Sequence, residues 1–123
     1  MNYTKHEALI SLKPGEGFSW SGYDYNDLNW QGSSTKPTEA EIDAEVTRLN
    51  NAEPMRLLRV ERDKRLTACD WIITMHKELG TNIPAAWKTY RQSLRDLPAS
   101  ASPSLDASGE LDLTSVTWPT EPS

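Results

Sequence analysis

Few residues in this 123-residue chain have the types and spacing needed for covalent or metal chemistry. The histidines are His6 and His76, and the one cysteine is Cys69. None of them forms the Cys-x-x-Cys or His-x-x-x-His spacing of a metal site. A catalytic cysteine needs a positioned histidine, and nothing marks His76 as such a partner of Cys69. The sequence therefore predicts no metal, no cofactor and no nucleophilic catalysis.

Asp70, which is followed by Trp71, is the best isolated candidate for general acid–base chemistry. Such a role requires a cleft and a shifted pKa. A carboxylate at a helix end more commonly caps a backbone N–H or pairs with an arginine. We therefore predict that the protein is not an enzyme.

Aromatic rings and arginines are the residues best suited to recognition. Trp, Tyr and Arg dominate the energetics of protein–protein interfaces, and the chain has five Trp and four Tyr against one Phe. Because Trp and Tyr join a large apolar body to a polar tip, they suit half-buried positions. We expect these residues to lie partly in the core and partly at the surface that meets a partner. They are Trp71, Trp87, Tyr90, Arg91, Arg95 and Trp118.

The charge of the chain limits the classes of partner. A net charge of −5 and a pI near 5.0 disfavour nucleic acid, whose binding depends on neutralising phosphates, and an anionic membrane. No apolar stretch has membrane-spanning length, and Met1 to Leu12 lacks the apolar run of a signal peptide. One cysteine fits a reducing compartment. We expect a soluble, cytoplasmic protein.

The helix that positions most of the candidate residues is predicted between Pro84 and Pro98. Proline suits the first turn of a helix, and it disfavours helical geometry in the residue before it, so we expect the helix to end at Leu97. Residues three or four apart share one helix face. The predicted buried face consists of Trp87, Tyr90, Leu94 and Leu97.

Two further helices are predicted before this one. Thr38 and Glu41 form a capping box for a helix from about Glu39 to Asn50. A second helix is expected to start at Pro54 and to end near Asp70-Trp71.

Two features of this region have alternative interpretations. Arg62 interrupts the apolar line of the second helix, so either its stem packs while its charge reaches water or it pairs with Asp70 or Asp96. Ile72–Leu79 fits either a continued helix or a loop.

The N-terminal segment is predicted to form a small antiparallel meander. Ala8–Leu12, Phe18–Ser21 and Leu28–Trp30 have the apolar content or the alternation of strands, with turn residues between them. Three short strands are marginal alone, so a helix or a second chain should cover them. The predicted inner residues are Ile10, Phe18, Trp20, Leu28 and Trp30.

These predictions together give an α+β fold. It consists of a small N-terminal antiparallel β-meander, a unit of two to three helices and an extended C-terminal tail. The domain boundaries are predicted as 1–36 for the sheet, 37–98 for the helices and 99–123 for a Ser/Pro-rich tail. Because apolar alternation returns before Trp118-Pro119, the tail could be an added strand or a docking peptide.

Several motifs occur in an order that resembles the tail assembly chaperone family of tailed bacteriophages. The run from Tyr90 to Pro98, Tyr-Arg-Gln-Ser-Leu-Arg-Asp-Leu-Pro, is quite specific, whereas the closing Trp-Pro is weak alone. Two features depart from the family pattern: Ile72–Leu79 is longer and more helical than the usual polar loop, and the Ser/Pro segment before Trp118 is extended. The motifs are Arg62-Asp63-Lys64-Arg65-Leu66, Asp70-Trp71, Trp87, the Tyr90–Pro98 run and Val116-Thr117-Trp118-Pro119.

The resemblance implies a non-enzymatic protein that binds a phage tail, tail-fibre or baseplate protein during morphogenesis in the cytoplasm of the infected host. An alternative is a permanent component of the virion tail, and either could form a homo-oligomer. Subunits that expose apolar surface before assembly are prone to aggregate, and aromatic and arginine side chains could cover such surface. The predicted partner-binding residues are Asp70, Trp71, Trp87, Tyr90, Arg91, Arg95, Trp118 and Pro119.

Overall fold

A computed structural model describes residues 2–123 and confirms the α+β class. Two compact units follow each other in the chain: the N-terminal unit ends at Ala52 and the C-terminal unit begins at Glu53. None of the described helices has the length and apolar character needed to cross a membrane. The elements are α1 (Lys5–Leu12), β1 (Phe18–Trp20), β2 (Leu28–Trp30), α2 (Glu39–Ala68), α3 (Asp70–Leu79) and α4 (Ala85–Ser100).

The first predicted strand is wrong, because Ala8–Leu12 belongs to α1. A capping box starts this helix: the Glu7 N–H donates to the Thr4 hydroxyl at 3.4 Å, and the Thr4 N–H donates to the Glu7 carboxylate at 3.0 Å. The predicted three-stranded meander is therefore a two-stranded antiparallel hairpin of β1 and β2. Ile10, predicted to be an inner residue, is 48% exposed.

The other predicted inner residues do pack into the core of the N-terminal unit. Trp20 pairs with Leu28 across the hairpin, and Phe18 stacks on Trp30 with ring centroids 6.4 Å apart. The cluster that they cover contains the fully buried side chains of Ala8, Leu9 and Ile42. Helix α1 thus supplies the cover that a short hairpin requires.

Helix α2 is continuous from Glu39 to Ala68, so the predicted break at Asn50-Asn51 and the new start at Pro54 are wrong. The Asn50 side chain accepts a hydrogen bond from the Tyr3 N–H at 2.8 Å instead of ending the helix. An internal proline costs about 3 kcal/mol. Packing of Leu49 in the N-terminal unit and of Leu58 in the C-terminal unit holds both sides of Pro54 helical.

The carboxylate of Glu45 on α2 is buried among donors. Arg48 donates to it from Nε at 2.5 Å and from Nη2 at 2.7 Å, and the Ser11 hydroxyl donates at 2.5 Å. The Arg48 hydrogen bond, followed by that of Ser11, lowers the pKa of Glu45 from 4.5 to about 2. Glu45 therefore ties α1 to α2 as a carboxylate.

Replacing Glu45 by Gln should lower the free energy of unfolding at pH 7 by roughly 1–2 kcal/mol, since hydrogen bonds to a charged group are lost while Arg48 stays exposed. Because the pKa of Glu45 is lower in the folded state, its ionised carboxylate stabilises the fold fully above about pH 4.5. This contribution to the free energy of unfolding is lost as the pH falls toward 2. Urea unfolding at pH 5 and at pH 2.5 measures it.

The fall in stability between those two pH values should be smaller in Glu45→Gln than in the wild type. Glu39→Gln, which removes an exposed carboxylate from the same helix, is the control and should change stability at pH 7 by less than about 0.5 kcal/mol. An unchanged pH dependence in Glu45→Gln would contradict the assigned role.

The C-terminal unit packs the second part of α2 against α3, α4 and the tail. Ile72–Leu79, for which the sequence allowed either a helix or a loop, is helical and belongs to α3. This helix is capped at its C-terminus by Gly80, which has a φ of +70°. The predicted face of α4 is confirmed: Tyr90, Leu94 and Leu97 are buried and Trp87 is half-buried.

The predicted end of α4 at Leu97 needs correction, and one of the two alternatives for the tail is excluded. Helix α4 continues through Pro98 to Ser100, and the Ala101 N–H bonds to the Leu97 carbonyl at 3.0 Å. The tail is not a strand over Leu111–Trp118: it forms one bridge between Leu105 and Leu111 and a single 3-10 turn at Leu113–Ser115. The helix can continue because Leu97 packs against Leu58 and Val116.

Candidate functional site

Arg91 joins the end of α2 to the start of α3. One terminal nitrogen, Nη1, donates to the Leu66 carbonyl at 3.0 Å and contacts the Cys69 sulfur at 3.0 Å. The other, Nη2, lies 2.8 Å from the Asp70 carboxylate. The Leu66 carbonyl is in the last turn of α2, where it also accepts a hydrogen bond from the Cys69 N–H at 3.2 Å. A guanidinium fork suits this set of acceptors because it carries several donors in one plane.

Partial burial of Arg91 opposes its charge, but the hydrogen bonds to Cys69 and Asp70 raise its pKa overall. Asp70 is the first residue of α3, where a negative charge is favoured by the helix dipole. Its carboxylate therefore pairs with an arginine, as the sequence predicted for a helix-end carboxylate. Arg91 and Asp70 are thus brought together, and both have a structural role.

Tyr90 and Trp87 form an edge-to-face pair with ring centroids 5.8 Å apart and an interplanar angle of 82°. Tyr90 packs in a buried cluster with Cys69, Ile72 and Leu94. Burial is the main cause that raises the pKa of Tyr90. Tyr90 is therefore a core residue, and the half-buried Trp87 packs against it.

Trp118 anchors the tail to the helices. Its ring contacts both buried clusters of the C-terminal unit. The indole N–H donates to the Leu113 carbonyl at 3.1 Å, and the Arg65 guanidinium lies over the ring at 4.1 Å. Trp118 and the half-buried Pro119 also line a recess of about 360 Å³ beside α4.

Apart from Asp70, which pairs with Arg91, the exposed members of the predicted set are Trp71 and Arg95. Trp71 has 62% of its surface exposed. Arg95 is exposed, and its Nε and Nη2 donate to the Gln92 side-chain carbonyl at 3.3 and 2.9 Å. These two residues are therefore available to a partner without unpacking the core.

An open groove of about 550 Å³ lies between α3 and α4. The predicted partner-binding residues did not include Lys88 or Ile73, although Lys88 lies one turn before Arg91 on the same face of α4. That periodicity was the available signal. The groove is lined by Ile73, Lys88, Thr89, Arg91, Gln92 and Arg95.

Arg62 pairs with neither Asp70 nor Asp96, so the second of its two interpretations is wrong. Its guanidinium lies 3.0 Å from the Asp63 carboxylate, next to it in the chain, and Nη1 is 3.5 Å from the Arg95 carbonyl. Arg91 already neutralises Asp70, and the Gln92 amide donates to Asp96 at 2.9 Å. Both acids have closer partners than Arg62.

Within residues 2–123, no group of three or more His, Cys, Asp or Glu side chains is arranged to hold a metal ion. Cys69 is buried and free. The His76 ring is 2.7 Å from the Thr81 hydroxyl.

A family model described as phage tail assembly chaperone protein matches residues 55–123. The match covers more than half of the chain, and it lies within the C-terminal unit, which begins at Glu53. No curated protein and no solved structure matches the chain.

Proposed function

Because this chain belongs to the phage tail assembly chaperone family, we propose that it binds one tail or tail-fibre protein of the phage, its client, during morphogenesis and is absent from the finished particle. It acts in the cytoplasm of the infected host and performs no catalytic step. Before assembly, the client exposes apolar surface that promotes aggregation, and binding to this chain covers that surface.

The observation that carries this proposal is the coincidence of the family match with one compact unit. Residues 55–123 match the family, and Glu53–Ser123 has two buried clusters of its own. A segment that matches the family and has its own buried core can present a binding surface by itself. The client surface is therefore proposed to lie on this unit.

Trp71 is the proposed apolar anchor of the client surface. Five of the eight predicted residues are already engaged within the unit, in the core, the tail anchor or the Arg91–Asp70 pair. Trp71 instead exposes most of a large ring near that pair. Exposed tryptophan is a residue type that dominates binding energy at interfaces.

Replacing Trp71 by Ala should weaken client binding by at least about tenfold, since interface tryptophans commonly contribute 2 kcal/mol or more. The measurement is capture by the tagged chain when it is co-expressed with each tail and tail-fibre protein of the phage.

Tyr23→Ala is the matched control for this experiment. Tyr23 is 97% exposed and lies outside the matched segment, so its removal should leave capture unchanged. If Trp71→Ala captures as much client as the wild type, Trp71 is not the anchor. If the wild type captures no tail or fibre protein, the proposed function is wrong.

A further inference from the structure

Three cationic side chains line one face of α4 in the groove between α3 and α4. Lys88, Arg91 and Arg95 are spaced at i, i+3 and i+7, which places them along the same face of a helix. Ile73 of α3 supplies an apolar side chain to the groove. The groove therefore combines positive charge with a small apolar contact.

Two of these three charges have no ion-pair partner in the described part of the chain. Among residues 2–123, neither Lys88 nor Arg95 has a carboxylate within 4.0 Å. Arg95 bonds only to the neutral amide of Gln92. Asp96, the acid nearest in sequence, is bonded by the other end of that amide at 2.9 Å. The groove thus keeps an excess of positive charge.

This excess contrasts with the chain as a whole, whose net charge is −5. A long polyanion such as nucleic acid extends beyond the groove and would be repelled by the negative charge of the rest of the chain. Its binding also needs many phosphates to be neutralised at once. A short anionic segment could bind within the groove, where it contacts the positive charges without reaching the negatively charged surface outside. Carboxylates are well matched to arginine, which binds them in a bidentate manner.

We propose that this groove binds an acidic segment of the client protein, with two carboxylates about 10 Å apart. Seven residues of helix at 1.5 Å each separate Lys88 from Arg95 by about 10 Å. A polyproline II segment returns a side chain to the same face every third residue, after about 9 Å. The sequence Glu-x-x-Glu in that conformation therefore presents one carboxylate to each free cation.

The inference rests on the proposed function, because it gives the chemistry of the client at the same unit. Its test uses a synthetic peptide with Glu-Pro-Pro-Glu at its centre, titrated into the full ¹⁵N-labelled chain and followed by NMR. Amide shifts should concentrate at residues 88–95, with a dissociation constant of about 1 mM or below. The double variant Lys88→Gln/Arg95→Gln should weaken binding by at least about tenfold.

Arg59→Gln/Lys64→Gln is the matched control, because it makes the same change in net charge at two exposed positions of α2 that do not line the groove. This variant should bind the peptide like the wild type. A Gln-Pro-Pro-Gln peptide should not bind. All four positions are exposed, so both variants should fold.

The proposal is overturned if the Gln peptide binds equally well, if the two double variants behave alike, or if an eight-residue oligothymidylate binds the groove more tightly than the acidic peptide. Client capture separates this proposal from the proposed function. Equal capture by Lys88→Gln/Arg95→Gln and by the wild type overturns the groove and leaves the function standing. Peptide binding as predicted, without capture of any tail protein, overturns the function and leaves standing only the affinity of the groove for an acidic segment.

Discussion

Replacing Arg91 by Ala should lower the free energy of unfolding of the C-terminal unit by about 2–3 kcal/mol. The substitution removes the donor to the Leu66 carbonyl, the contact with Cys69 and the ion pair with Asp70 at once. The loss stays below that of a fully buried pair, because Asp70 is 58% exposed and regains water. Urea unfolding at neutral pH measures it.

Arg95→Ala is the control, since it makes the same change one turn later on α4, where the side chain is exposed. Its effect should stay within about 0.5 kcal/mol. Arg91→Lys should recover only part of the loss, because an ammonium cannot reproduce the planar fork. Equal and small effects of Arg91→Ala and Arg95→Ala would show that Arg91 does not hold the two helices together.

Replacing Trp118 by Ala should lower the free energy of unfolding by about 2–3 kcal/mol and release the tail from the helices. Truncation of a fully buried aromatic side chain lowers the free energy of unfolding by more than this, but Trp118 is half-buried. The change removes its packing on both clusters, its hydrogen bond to Leu113 and the contact with Arg65. Thermal unfolding measures the stability, and limited proteolysis after Ala101 measures the release.

The matched control removes the same side chain from the exposed position Trp71. Trp71→Ala should leave stability within about 0.5 kcal/mol of the wild type and should leave the tail protected. Trp118→Phe should keep most of the packing and lose about 1 kcal/mol with the indole hydrogen bond. A tail that stays protected in Trp118→Ala would mean that other contacts hold it.

Local patterns in the sequence predicted the features that depend on short-range physics. The 3.6-residue spacing of Tyr90, Leu94 and Leu97 predicted the buried face of α4. The capping box of Thr38 and Glu41 was also predicted, and the Glu41 N–H donates to the Thr38 hydroxyl at 3.1 Å. Both signals lie within a few neighbouring residues, so they are visible in the sequence before the packing partners are known.

Two predictions failed for different reasons: in one a local signal was missed, and in the other tertiary packing overrode propensity. Ala8–Leu12 is apolar enough to fit a strand, and the Thr4–Glu7 capping box that favours helix α1 was overlooked. Asn50 and Pro54 are breakers by propensity, but a half-buried leucine before them and a buried leucine after them pack and hold α2 helical. Propensity is only a weak prior in such cases.

The residue types of the candidate site were predictable from the sequence, but which of them hold the fold together and which are accessible to a partner was not. Arg91 and Arg95 look equivalent in the sequence, being one helical turn apart. Both line the open groove, but Arg91 bonds to a carbonyl 25 residues earlier, whereas Arg95 bonds to Gln92 on its own helix. Only the fold brings Leu66 to one of them, so the structural and the accessible arginine could not be separated beforehand.

The central claim is that this chain is a transient assembly chaperone of the phage tail. Its most direct test is quantitative mass spectrometry of one infected culture, comparing purified particles with the pool of unassembled tail proteins. The account predicts that the chain is absent from particles and co-purifies with one unassembled tail or fibre protein. A fixed stoichiometric amount of the chain in finished particles would contradict it.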